Sequence, residues 1–592
     1  MSDIIKLLPD SVANQIAAGE VIQRPASAIK ELMENAIDAG AVRIQVVVKD
    51  SGKSFMQVID DGHGMSETDA RLSFERHATS KINQANDLFA IRTMGFRGEA
   101  LASIAAVAMV EMKTRLHSND VGTELEIAGS KVESQQPTAC PTGTAITIKN
   151  LFYNIPARRN FLKSNASETR HIVEEFQRVA LAFPEKSFSL TQDGVQVFNL
   201  TAGNLKQRIT GIFGNGYNER IVPTQEDTTI LKIEGYIGKP EFAKKTRGEQ
   251  FLFVNRRFIK SSYINHAISD AFADLLPPNT FPSYFLFIEI DPSKIDINIH
   301  PTKTEIKFED EKSIYAIIRA ATKRALGKFS ITPSLDFDQE TAFNIPVSMY
   351  GTLPRQPEVK VDKSYNPFTA ENNAKKNTHG WENLYIKSSD QPSDLFEVEP
   401  ASRPNQKIKI FGQFALKYIL ACNSEGMLLI DQKRAHERIL YERHAKLLSQ
   451  SAQAIQQDLF PIKIEFSTAD AHLIKEIEPE LKKIGFDISE LGGTTFVLNG
   501  VPSGTERGRE KYILEAILES YKNQSTLSND QQTEKILRSF ASTIAISYGV
   551  TLNMEEMERI VHDLFECDVK EWSPTGKKTF KLLTEQDLHS LF

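Results

Sequence analysis

Apolar residues recur at helical spacing in RPASAIKELMENAIDAG, where Ile29, Leu32, Met33, Ala36 and Ile37 gather on one face. Glu31, Asn35 and Asp38 fall in a polar stripe on the other face. Pro25 suits a first helical turn and Gly40 a C-terminal cap, so the pattern predicts a helix between them. β-Branched runs such as VRIQVVV at Val42–Val48 and FLFIEI at Phe285–Ile290 predict strands, and helical and strand patterns alternate up to about Thr332. Between 333 and 405 the periodicity dissolves into Asn, Lys, Ser and Pro, which reads as a disordered linker. Patterning returns in KIKIFGQFALKYILACNSEGMLLIDQ, strands joined by a turn at Asn423–Gly426, and in the helical ADAHLIKEIEPELKKIG and REKYILEAILESYKN.

At 592 residues the chain exceeds what one hydrophobic core sustains, so several domains are expected. A net charge of -7 excludes a uniformly basic protein but leaves room for a local basic groove. Cys140, Cys422 and Cys567 lie far apart without a CxxC pair, which argues against a disulfide framework or a thiolate zinc cage. MSDIIKLLPD lacks the charge and apolar core of a signal peptide, and no apolar run is long enough to span a bilayer. The expectation is a cytoplasmic protein with no membrane partner.

The candidate chemistry lies in the first third. Glu31 and Asn35, one helical turn apart, offer a carboxylate to activate water and an amide oxygen to complete a magnesium shell. The strand that follows ends in VIDDGHGM, giving Asp60, Gly62 and Gly64 in a D-x-G-x-G pattern whose glycines admit a flat ligand. Further on come TSKI, with Thr79, Ser80 and Lys81, and MGFRGEALASI, with Gly95, Phe96, Arg97 and Gly98. There, backbone N–H groups at a helix start suit phosphates. No GxxxxGK[ST] phosphate loop is present.

Together, E-x-x-x-N, D-x-G-x-G and GFRGEAL resemble the GHKL ATPases, and GEVIQRPASAIKELMENAIDAG, TSKI, PTGTAITIKNLFYNIPARRNFLK and DINIHPTKTEIKF are similar to the DNA mismatch-repair MutL family. The resemblance implies an α/β (α+β) architecture. A GHKL-type α/β sandwich would occupy residues 1–215, a β-α-β transducer domain 216–332, the linker 333–405, and a mixed α/β dimerisation domain 406–592. It implies ATP and Mg2+ as cofactors, with Glu31 as general base, Asn35 on magnesium, and Asp60 on the adenine amino group supported by Thr144. Residues Thr79 to Gly98 would form a lid over the phosphates, and Lys303 of HPTK would reach the terminal phosphate. Arg158, Arg159, Lys163, Arg256, Arg257 and Lys260 would contact DNA through its backbone without sequence preference. Partners implied are a second copy of the chain, a MutS-type mismatch sensor, a helicase and a nuclease. An ATP-gated dimeric clamp follows, its arms carried on linkers that span about 45 Å. The alternative is an ATP-regulated, metal-dependent nicking endonuclease.

Family members that nick DNA carry Asp-Gln-His-Ala-x-x-Glu-x-x-x-x-Glu, where this chain has DQKRAHERILYE. Asp431, Gln432, Glu437 and Glu442 match, but Lys433 and Arg434 replace the histidine and alanine, and Ser542 and Ser573 stand at cysteine positions. The motif reads as degraded, with His436 as a surface histidine. QQDLFP, with Gln456, Leu459 and Phe460, resembles peptides that dock on the replication sliding clamp, and reads equally as a loop turning into the core before PIKIEF.

Overall fold

A computed structural model describes residues 10–81, 93–95, 98–273, 275–277, 280–296, 306–331, 408–449, 455–506, 508–522 and 529–590. The linker therefore lies outside the described residues, as do Phe96, Arg97 and Lys303. Residues Met1–Thr332 and Ile408–Phe592 form one compact unit.

The first 200 residues build a mixed eight-stranded sheet in the order Lys131–Thr138, Gly122–Ala128, Met109–Arg115, Gly143–Lys149, Phe55–Asp60, Arg43–Lys49, Ser187–Gln192, Val195–Leu200. Arg43–Lys49 runs antiparallel to Phe55–Asp60 and parallel to Ser187–Gln192. Its alternation buries Ile44, Val46 and Val48. They share a core with Ile29, Leu32, Met33 and Ile37 of the helix Pro25–Asp38. Burying each of these large side chains stabilises by roughly 1.5–3 kcal/mol, which fixes that helix's rotation. Its polar stripe is thereby turned away from the core. Pro25 sits in the first turn, and Gly40, at φ 75°, leads the chain out.

The second domain is a five-stranded sheet ordered Arg257–Phe258, Gln250–Val254, Tyr284–Ile290, Leu231–Gly238, Ile221–Asp227. Gln250–Val254 lies parallel to Tyr284–Ile290, and the helix Ser262–Ala271 falls between them in sequence, a β-α-β crossover. Phe251, Phe253 and Phe285 belong to the first domain's core cluster, so the two domains share a continuous apolar interior.

The C-terminal part holds two smaller sheets. One is ordered Lys409–Phe414, Tyr418–Asn423, Gly426–Asp431, Phe580–Leu583, with Asn423 paired to Gly426 at the expected turn. The other, Ile455–Glu465, Thr495–Pro502, Asp487–Gly492, packs under the helices Thr468–Ile484, Glu510–Lys522 and Asn529–Ile544. This part packs on the N-terminal half. Ala469 joins the first domain's core, and Glu515 and Glu519 accept from the backbone N–H groups of Lys245 and Arg247 at 3.3 and 3.0 Å.

Candidate active site

The helix Pro25–Asp38 and the ends of the strands Phe55–Asp60 and Gly143–Lys149 enclose a cavity of about 940 Å³ lined by Glu31, Asn35, Asp60, Gly64, Thr79, Ser80, Lys81, Gly95, Gly98 and Thr144. These sequence-predicted residues thus converge from five separate segments, while Gly62 is not among the lining residues and acts on the site only through its N–H to Asp60. Phe96, Arg97 and Lys303, assigned to the same site, lie outside the described residues.

At the strand end, Asp60 pairs in register with Thr144, and its Oδ1 accepts from Gly62 N–H at 2.9 Å. Burial pushes the Asp60 carboxyl up to about 6, against the pull of the Gly62 and Thr144 N–H groups. A group held near its charged and neutral balance in a cavity marks a candidate ligand contact. Thr144 Oγ1 meets Thr114 Oγ1 at 3.0 Å. The Thr114 hydroxyl also bonds Gly143 O at 3.1 Å and accepts from Met65 N–H at 2.9 Å. Thr114 therefore ties three strand and loop ends of the pocket together, a role that nothing in VEMKTRL discloses. Gly64 has φ 72°, and a Cβ there would lie 2.1 Å from Arg115 O, so the D-x-G-x-G turn tolerates no side chain at that point.

At the other end, Asp38 is the hub. Its Oδ2 accepts from Lys81 Nζ at 2.6 Å and from Gly95 N–H at 3.0 Å, and its Oδ1 from Met94 N–H at 2.9 Å. Lys81 Nζ also donates to Asn35 Oδ1 at 3.1 Å. Asn35 Oδ1 is a hard oxygen donor of the kind Mg2+ takes, whereas both Asp38 oxygens are held by Lys81 and the N–H groups, so a metal at Asn35 would displace the Lys81 ammonium. Sequence periodicity placed Asp38 in the stripe without a function, because its partners arrive from about 40 to 57 residues away.

The six cations expected to contact DNA divide. Arg158 and Arg159 lie on the short helix Pro156–Asn160, with Arg159 exposed and Arg158 and Lys163 half-buried. Arg256 and Lys260 are exposed, Arg256 pairing with Glu185 at 2.5 Å. Arg257 is a correction: it is 7% exposed, and its Nη2 donates to the carbonyl of Thr93, which lines the cavity. A buried guanidinium turned inward offers nothing to a phosphate backbone.

In the C-terminal part, Asp431 of the DQKRAHERILYE segment already has protein partners. Asp431 accepts from Tyr548 Oη at 3.0 and 2.9 Å and from Arg434 N–H at 3.1 Å, with the Arg434 guanidinium 3.3 Å away. Burial raises the Glu437 carboxyl, while Lys433 pulls it down. Ser573 is buried and bonded to Thr575 at 2.8 Å. Among the described residues, Asp431 and Glu437 join no group of three metal-type ligands. His436 departs from expectation, since it is half-buried, accepts from Ile546 N–H at 3.1 Å, and is pushed down to about 4 mainly by burial. QQDLFP is neither loop nor free peptide at its start. It belongs to the strand Ile455–Glu465, where Gln456 pairs with Val501, and the side chains of Leu459 and Phe460 lie outside the described residues.

Residues 23–155 match the family model of the histidine kinase-, DNA gyrase B-, and HSP90-like ATPases. Residues 209–327 match that of the DNA mismatch repair protein C-terminal domain, and 411–552 that of the MutL C-terminal dimerisation domain. Over its whole length the chain is 48% identical to the DNA mismatch repair protein MutL of Christiangramia forsetii, with 100% of both chains covered. Identity is 47% to that of Flavobacterium psychrophilum and 44% to that of Bacteroides fragilis, again over 100% of both chains.

Proposed function

The chain belongs to the MutL family of DNA mismatch repair proteins, with a GHKL-type ATPase domain and a dimerisation domain, and from that premise we propose how its residues share the work. Asp60, supported by Thr144, accepts the adenine amino group. Glu31 takes a proton from the water that attacks the terminal phosphate, and the N–H groups around Gly95 and Gly98 face the phosphates. Asn35 holds Mg2+, which when bound neutralises phosphate charge. Lys303 reaches the terminal phosphate, and Thr79 to Gly98 cover it. The observation that carries this reading is Glu31, Asn35 and Asp38 on one helix face, looking across one cavity at Asp60.

Nucleotide binding and hydrolysis then switch a homodimer. The edge strand Lys409–Phe414 exposes Phe411 and Phe414, and Leu416 and Val550 add to that apolar face, the surface we assign to the second copy. Arg159 and neighbouring cations track duplex phosphates without reading bases. The ATP-bound form engages a MutS-type sensor and a helicase, and incision falls to a separate nuclease, a reading supported by Tyr548 and Arg434 already holding Asp431.

Two variants separate binding from turnover. Glu31→Ala is expected to bind ADP as the wild type does and to lose phosphate release, whereas Asp60→Asn loses ADP binding itself. Normal turnover by Glu31→Ala would overturn the assignment of the base.

A further inference from the structure

Arg257 looks from sequence like one more surface cation in VNRRFIK, yet the fold buries it between the two N-terminal domains. It begins the two-residue strand Arg257–Phe258, which folds back on Gln250–Val254 through Asn255 and Arg256, both at positive φ (48° and 67°). Two consecutive left-handed residues make the tight turn whose twist matches paired strands, so the hairpin returns at a fixed angle. Asn255 locks it further, donating to Ile290 O at 2.9 Å and accepting from Ile290 N–H at 3.0 Å. Phe258, the next residue, packs on the first domain's core and lies 4.3 Å beneath the Arg178 guanidinium. The second domain thus presents Arg257 from a rigid support.

Its Nη2 donates to Thr93 O, and Thr93 Oγ1 donates to Gly95 O at 2.7 Å. The next two N–H groups, Met94 and Gly95, are the ones Asp38 holds. One short backbone stretch is therefore gripped from both sides, by a cation of the second domain and a carboxylate of the catalytic helix. Glu34, Asp38 and Glu31 surround the guanidinium electrostatically and oppose the effect of burial on its charge.

We propose that Arg257 is a positioning residue of the ATPase, through which the second domain sets the Thr93–Gly95 backbone at the phosphate side of the nucleotide site. It touches no substrate and acts through the Thr93 carbonyl. The inference rests on the ATPase reading above, but one of its readouts does not. A guanidinium is suited to the task because it stays charged when buried and donates in a fixed plane.

The test compares full-length wild type with Arg257→Met, which removes every donor, and Arg257→Lys, which keeps the cation and donors on a shorter reach. Amide hydrogen exchange without nucleotide reads the backbone directly. Met94 and Gly95 are expected to lose protection in Arg257→Met while the helix Pro25–Asp38 keeps its own. With Mg-ATP, kcat is expected to fall at least tenfold in Arg257→Met with ADP affinity within threefold of wild type, and Arg257→Lys is expected to recover part of the loss. Unchanged Met94 and Gly95 protection, or a kcat within twofold of wild type, overturns the proposal. So does parallel loss of ADP affinity and of protection throughout the domain, which marks a merely structural residue. Should Arg257→Met fail to fold, Arg257→Lys carries the same comparison. Absence of turnover in the wild type would sink the ATPase reading while leaving the exchange result to judge Arg257.

Discussion

Single residues at this site are tuned by burial and by partners distant in sequence. Asp60 has its pKa raised from 3.8 to about 6, so the folded state binds its proton more tightly than the unfolded one. Its contribution to stability is full below about pH 4 and is lost as pH rises through about 6. Asp60→Asn is therefore expected to raise the melting temperature at pH 7 to 8, with the gain vanishing toward pH 4, as a calorimetric pH series would read. Adenine needs the carboxylate, so wild-type ADP affinity is expected to weaken as pH falls through 6. Thr114→Val keeps the shape but removes the hydroxyl that joins Thr144, Gly143 and Met65. At about 1 kcal/mol for a lost hydrogen bond, ADP titration is expected to show a several-fold weaker Kd. That Glu31 and Asn35 share a polar helix face, the face that lines the cavity, was legible because a 3.6-residue period separates polar from apolar faces. Thr114 and Asp38 were not, since their partners come from other strands and loops.

Helices with a strong apolar stripe and strands with β-branched alternation were readable as elements, and Pro25–Asp38 and Arg43–Lys49 lie where the pattern places them. Short elements were not. VNRRFIK carries four polar or charged positions, Asn255, Arg256, Arg257 and Lys260, and its turn is hidden because it uses Arg256 where glycine is usual. Left-handed backbone costs a non-glycine residue roughly 1–2 kcal/mol. Arg256→Gly is expected to raise unfolding stability by about 1 kcal/mol in a urea titration, the exposed pair with Glu185 offsetting little. QQDLFP likewise lacks alternation, and its strand character comes from pairing with Thr495–Pro502 across an irregular register.

At the scale of the whole molecule, the two patterned regions on either side of residues 333–405 could be read from where periodicity stops and resumes, but the packing of the C-terminal part on the N-terminal half could not. That contact is built from Glu515 and Glu519 on the backbone N–H groups of Lys245 and Arg247, and Lys522 on the Arg247 carbonyl, pairings with no local signature. The dimer face makes its own prediction: Phe414→Glu places a charge on an apolar edge and is expected to shift the sedimenting species from dimer to monomer at micromolar concentration. Retained ATP turnover by that monomer would further show that each copy holds a complete hydrolytic site.

The central claim is an ATP-driven switch that leaves incision to another protein. It is tested most directly in one reaction, with supercoiled plasmid, manganese and ATP, read for both phosphate release and nicking. The expected result is phosphate release that Glu31→Ala abolishes and plasmid that stays closed. Nicking that disappears in Asp431→Asn would contradict it and return the C-terminal carboxylates to catalysis.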